Sequence, residues 1–277
     1  MSLNPELALA CKEMMKKGSS SFYQAFKFLP KQKREAVHVI YSFCRMIDDA
    51  VDEPENSPYT LEEIDELFTN LDEAEGHFIW PSLRWVMAEY NLSKEPYYIQ
   101  MSGQRLDYTK TKYDTFEELE DYCYRVAGSV GEMLIPVLQP NPNQAMIEAG
   151  IALGKAMQIV NILRDIGADK KLNRRYIPLE IMKEYGYTEE EWEQGVINSA
   201  LKNVIHYLTK KADQWFTEGL IHVDQYPEKS QLTLRLAASY YREIIEVINE
   251  NDYQVFTKRA IVTNRRKSRL LMQLTKS

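Results

Sequence analysis

The chain reads as an all-α protein, a helical bundle forming one domain over residues 1–277. Three observations predict this. Apolar residues recur near 3.6-residue spacing along most of the 277 positions. Gly and Pro number 11 each, about 8% together where ~12% is usual, and β-branched alternation is scarce. With 44% hydrophobic residues the chain can bury a sizeable core, and no fixed-period repeat suggests a solenoid.

The opening stretch MSLNPELALACKEMMKKG lacks the charged start and unbroken apolar run of a secretory signal, so it is expected to stay in a mature, cytoplasmic protein. SSSFYQAFKFLP (19–30) presents Phe22 and Phe26 at i,i+4. Periodicity then predicts helices over 31–52, 60–74, 82–91, 94–109, 116–138, 143–168, 198–223, 230–250 and 254–274. DEPENSPYT (52–60) ends the first, since Pro54 and Pro58 forbid continuation. Gly128 and Gly131 interrupt 116–138 at a cost relative to Ala, which indicates close helix packing or room for a ligand. QPNPNQ (139–144) ends that helix and caps the next, and neither Pro-rich break reads as a domain linker. NRRYIP (173–178) follows 143–168 closely enough to fold over it, offering Arg174, Arg175 and Tyr176 as a lid. The basic end KRAIVTNRRKSR (258–269) reads mostly as a solvated helix face, and is also a candidate for peripheral membrane docking.

Composition excludes several function classes. A net charge of −7 argues against nucleic acid, and no run of ~18 apolar residues offers a membrane span. Cys11, Cys44 and Cys123 lack CxxC spacing and are expected to be buried thiols. Four histidines without an HExxH disfavour a histidine-rich metal site, so any metal should be oxygen-bound.

The segment RMIDDAVD (45–52) puts three carboxylates among apolar neighbours, where an unmatched charge is costly. On a helical wheel with Tyr41 at zero, Arg45 falls near about 40°, Asp48 near about −20° and Asp52 near about 20°, with Asp49 aside at about 80°. In LGKAMQIVNILRDIGAD (153–169), Gln158, Asn161, Asp165 and Asp169 lie within about 80° of one another. Apolar residues flank both stripes, so they should face one another across an interior cavity. Hard oxygen donors from Asp and Asn suit Mg²⁺, which commonly joins carboxylates to substrate phosphates. Together the stripes predict a Mg²⁺-diphosphate site.

Diphosphate recognition also needs cations, for which the Arg fork is suited. Arg45 lies on the first stripe. Arg164 adjoins Asp165 but points roughly 100° away, open to either a direct role or a structural ion pair. Tyr122, Tyr124 and Tyr241 are candidates for the rim.

These segments resemble the squalene/phytoene synthases, head-to-head prenyl transferases. YSFCRMIDDAVD resembles the family's first aspartate-rich motif, YCYRVAGSVGE its middle signature, and LGKAMQIVNILRDIGAD with RRYIP its second aspartate-rich motif and flap. Their order is most like that of bacterial dehydrosqualene (4,4′-diapophytoene) synthases. The resemblance implies a single-domain isoprenoid-synthase bundle around a central cavity, with Asp48, Asp52, Asn161, Asp165 and Asp169 on about two or three Mg²⁺ ions. It implies two molecules of farnesyl diphosphate as substrates, no NADPH, no nucleic acid and no obligate protein partner. Catalytic work would fall to Asp48, Asp52, Arg45, Tyr41, Asp165 and Tyr122. Substrate contacts would come from Phe22, Phe26, Tyr41, Arg45, Gln158, Asn161, Arg164, Tyr176, Tyr241 and Arg259. The flap departs from the family pattern at Asn173-Arg174-Arg175, where Gly-Arg is more usual. Phytoene and squalene synthases are the near alternatives, a class I terpene cyclase or a non-catalytic helical scaffold the distant ones.

Overall fold

The structure is a computed structural model that describes residues 2–276. Helix α1 (Pro5–Gly18) starts where Asn4 accepts from the Glu6 amide at 2.8 Å, opens with Pro5 and ends on Lys16 and Lys17. The N-terminus, considered above only as a non-signal, is thus a capped helix. Helix α2 (Ser20–Phe26) follows directly, capped by Ser19. Helix α3 (Lys31–Asp52) matches its predicted span. Helix α4 (Leu61–Thr69) begins on a Thr60–Glu63 capping box and stops five residues short of the predicted end at 74. Helices α5 (Ile79–Tyr90) and α6 (Glu95–Leu106) sit close to expectation.

The predicted 116–138 helix divides into α7 (Phe116–Cys123), a π-helical turn over Tyr124–Gly128, and α8 (Ser129–Leu138). Such π-turns are frequent at functional sites. Helix α9 (Gln144–Lys171) is the longest, and short helices α10 (Leu179–Glu184) and α11 (Glu189–Gln194) follow it. Then come α12 (Ser199–Leu220), α13 (Glu228–Glu250) and α14 (Asn264–Lys276). Among the described residues the only β pairing is an isolated bridge between Lys112 and Arg175.

The predicted helix over 254–274 is corrected: 254–263 is irregular. Asp252 and Tyr253 take left-handed backbone, and the Val255 carbonyl accepts from the Gly167 amide at 3.1 Å, which draws the chain across α9. Gly167 permits this approach, because a Cβ there would overlap the Phe256 carbonyl. The basic end is also less solvated than expected. Arg266 and Arg269 donate to Glu243 at 3.1 and 2.9 Å, while buried Lys267 donates to Ser20 Oγ at 2.9 Å.

Helix α9 forms the centre, packed by α8, α12, α13 and the π-turn. The expectation that no segment is apolar enough to span a membrane does not hold for it. By length and composition α9 qualifies, but 61% of its most apolar window is buried inside the bundle, as in a core helix. A Cβ on Gly131 would overlap the Gly150 carbonyl, and one on Gly154 that of Ala127. The glycines of the middle signature therefore serve close packing, and Gly131 also lines the cavity beside α9. All three cysteines are buried and free.

Candidate active site

The two acidic stripes face each other. A polar mouth of about 250 Å³ is lined by Asp48 and Asp52 from α3 and by Gln158, Asn161, Asp165 and Asp169 from α9. Helix α6 closes a third side, where Gln104 donates its amide to Asp48 Oδ1 at 2.6 Å. Burial, and after it the charge of Asp52, pushes Asp48 up to about 7. Burial and the neighbouring Asp165 push Asp169 up to about 7 as well. Asp165 behaves oppositely: burial raises it, but hydrogen bonds from Arg164 and Arg259 outweigh this and hold it below the usual carboxylate value.

Each arginine finds an acidic partner. Arg164 grips Asp165 through Nε (3.0 Å) and Nη2 (2.5 Å) and also lines the mouth, so it makes the ion pair while standing beside the site. Arg259 reaches the same carboxylate from the irregular segment, its Nε 2.6 Å from Oδ1. Arg174 crosses the mouth to Asp52 Oδ1 at 2.7 Å, so the flap after α9 ties the two stripes together. Arg175 is buried and donates to the Tyr113 and Ile177 carbonyls, pinning the flap rather than acting as part of a lid. Arg45, placed on the first stripe by the wheel, turns its guanidinium to Asp49 and Glu53 and does not line the mouth.

Tyr122 and Tyr176 converge on a carboxylate that sequence reasoning missed. Their hydroxyls donate to Asp107 Oδ2 (3.0 Å) and Oδ1 (2.9 Å), and their rings stack at 4.9 Å. Tyr122 therefore belongs to the polar mouth and not to the apolar cavity. Gln100 and Gln104 on α6, and Asp107 at its C-terminal cap, follow one another at i, i+4 and i+7 on one face. That spacing in QMSGQRLD was the available signal, weaker than the aspartate-rich stripes because two of the three are uncharged. Tyr124 instead donates to Glu132 away from the mouth.

Below the mouth lies an apolar cavity of about 190 Å³ that shares Asp48, Val126, Gln158 and Asn161 with it. Phe22 and Phe26 form one wall, their ring centres 5.8 Å apart. Phe22 also meets Tyr241 at 5.4 Å and Tyr41 at 6.4 Å, and both tyrosines line the same cavity. Asn161, which borders both cavity and mouth, donates its amide to Gln158 Oε1 at 3.3 Å.

The donor set fits a divalent cation. Asp48, Asp52, Asn161, Asp165 and Asp169 all border the mouth, and Asn161 Oδ1 is buried without a hydrogen-bond partner. Asp48 and Asp169 are raised first by burial and then by the neighbouring carboxylates Asp52 and Asp165, a set of buried acids that a divalent cation would offset. Among the described residues no three acidic, His or Cys side chains already converge on one point. Mg²⁺ suits such a site, because it uses one or two carboxylates and completes its shell with water and phosphate oxygens.

Residues 15–266 match the squalene/phytoene synthase family. A phytoene synthase of Arthrospira platensis is 34% identical over 274 residues, covering 91% of this chain and 87% of its own. The 15-cis-phytoene synthase of Synechococcus elongatus is 32% identical, covering 93% and 88%. A crystal structure of a dehydrosqualene synthase in complex with ligand superposes with a TM-score of 0.92 at 31% identity, covering 98% of this chain and 96% of its own.

Proposed function

That the chain belongs to the squalene/phytoene synthase family, whose members are prenyltransferases condensing isoprenoid diphosphates head to head, is the premise from which we propose its reaction: two molecules of farnesyl diphosphate joined to dehydrosqualene. The observation that carries this reading is the pairing of an acidic, arginine-rimmed mouth with an apolar cavity directly beneath it. Such a shape takes a diphosphate at one end and a hydrocarbon chain at the other.

In the first half, one substrate's C–O bond breaks and its diphosphate departs. The second substrate's double bond attacks the allylic cation, and proton loss closes a cyclopropane to give presqualene diphosphate. A second ionisation, rearrangement and proton loss then give the conjugated C30 hydrocarbon. Mg²⁺ held by Asp48, Asp52, Asn161, Asp165 and Asp169 would supply neutralisation of the leaving diphosphate. Arg174, which lines the mouth, and Arg259, paired with Asp165 there, would meet the same anion on exchanging a carboxylate for a phosphate oxygen. Gln104 orients Asp48 by its hydrogen bond. Tyr41, Tyr241 and Phe22 line the cavity where the cation would lie and, with the surrounding apolar wall, would exclude water.

The Phe22–Phe26 wall supports a C15 chain, and the close superposition on a dehydrosqualene synthase agrees. The C40 alternative, phytoene synthesis from geranylgeranyl diphosphate, is favoured by the names of the curated relatives. Product analysis separates them: purified protein with Mg²⁺ and either diphosphate, with and without NADPH. A C30 triene from farnesyl diphosphate, indifferent to NADPH, is expected. A C40 product would redirect the assignment to phytoene, NADPH-dependent squalene to a squalene synthase, and a cyclic product to a terpene cyclase.

A further inference from the structure

We propose that the side-chain amide oxygen of Gln100 is a substrate-facing group that stabilises positive charge on the isoprenoid carbons just inside the diphosphate mouth. The inference rests on the prenyl-transfer reading above and adds to it a residue outside the aspartate-rich and middle motifs.

Gln100 is 1% exposed and lines the apolar cavity. Its Oε1 has no hydrogen-bond partner. Buried polar atoms are almost always satisfied, and an orphaned carbonyl is a stability cost that a Met or Leu would avoid. Among the described residues, only two orphaned buried side-chain atoms belong to residues lining the cavity: Gln100 Oε1 and Asn161 Oδ1. Asn161 has a role in the cation site. The orphaned hydroxyls of Tyr97, Tyr113 and Thr233 do not line the cavity or the mouth, so they carry no comparable argument.

Position supplies the rest. One turn along α6, Gln104 holds Asp48, which borders both mouth and cavity. Gln100 thus stands one turn inward from the level at which diphosphate would leave, next to the carbons that then carry charge. A fixed carbonyl dipole in a dry cavity is most effective where charge develops during reaction. No bond forms to Gln100 and no proton moves; the interaction is between an ion and a dipole.

The test compares wild type, Gln100→Met and Gln100→Asn for thermal midpoint, for diphosphate release from farnesyl diphosphate with Mg²⁺, and for binding of a farnesyl tertiary amine, protonated at neutral pH, in the presence of inorganic diphosphate. Gln100→Met is expected to melt no lower than wild type, to keep KM within about twofold, and to lose about tenfold in kcat and in affinity for the ammonium analogue. Gln100→Asn, which keeps a carbonyl, should recover part of both losses. An active wild type whose Gln100→Met variant matches it in kcat and ammonium affinity would overturn this inference alone. A wild type that releases no diphosphate would overturn the reading of function, and this inference with it.

Discussion

Replacing Phe26 with Ala tests whether the aromatic wall sets the length of chain accepted. The ring is 3% exposed and packs on Phe22 at 5.8 Å, one helical turn from the residue that meets Tyr41 and Tyr241. Phe→Ala in a core costs roughly 3–5 kcal/mol, and the lower end applies because the ring already borders open space. For a chain of 277 residues about 3 kcal/mol corresponds to a fall of roughly 5 °C in Tm. The substitution removes six ring carbons, and a C20 prenyl chain exceeds a C15 chain by five. At about 0.8 kcal/mol per buried carbon, the upper bound on the gain for the longer substrate is ~4 kcal/mol, near a thousandfold. Partial accommodation should still shift the ratio of kcat/KM for geranylgeranyl over farnesyl diphosphate by at least about tenfold. Competition between the two substrates, with products separated by mass, reads this directly. A folded variant with an unchanged ratio would refute the assignment of Phe26 as the limit.

Three further predictions concern charge. Asp48→Asn should abolish turnover while leaving a folded protein, and near-wild-type activity would remove Asp48 from the cation-binding set. In metal-free protein, Asp48 and Asp169 are raised from 3.8 to about 7, so the native state binds more protons between those values and stability falls as pH rises through them. Asp48→Asn should flatten that slope in a Tm–pH profile, and an undiminished slope would count against the shift. His38 has the opposite sign. Burial, then Arg34 and Lys12, lower it from 6.5 to about 4, and both ring nitrogens lack partners. The unfolded chain binds the extra proton in that window, so this contribution is intact above pH 6.5 and is lost as pH falls toward 4, by about 3 kcal/mol at most. The stability of His38→Leu relative to wild type should therefore grow on acidification, and a pH-independent difference would refute it.

The sequence by itself determined the helical class, most helix spans and the two acidic stripes, because hydrophobic periodicity and i,i+4 spacing are properties of a local segment. It also carried the cap signals of α1, in Asn4, Pro5 and Lys16, although helical periodicity alone did not reveal them. Only the tertiary structure decided which carboxylate each arginine holds. Arg259 and Asp165 are 94 positions apart, and Arg174 and Asp52 are 122 apart, distances over which spacing carries no information. The same holds for Asp107, whose meaning comes from two tyrosines on other segments, and for 254–263, where one carbonyl bonded to Gly167 replaced the expected helix. Gln100 illustrates the division most plainly. In sequence it is an uncharged residue on a helix, and only packing shows that its amide is buried against the cavity with the carbonyl oxygen left without a partner.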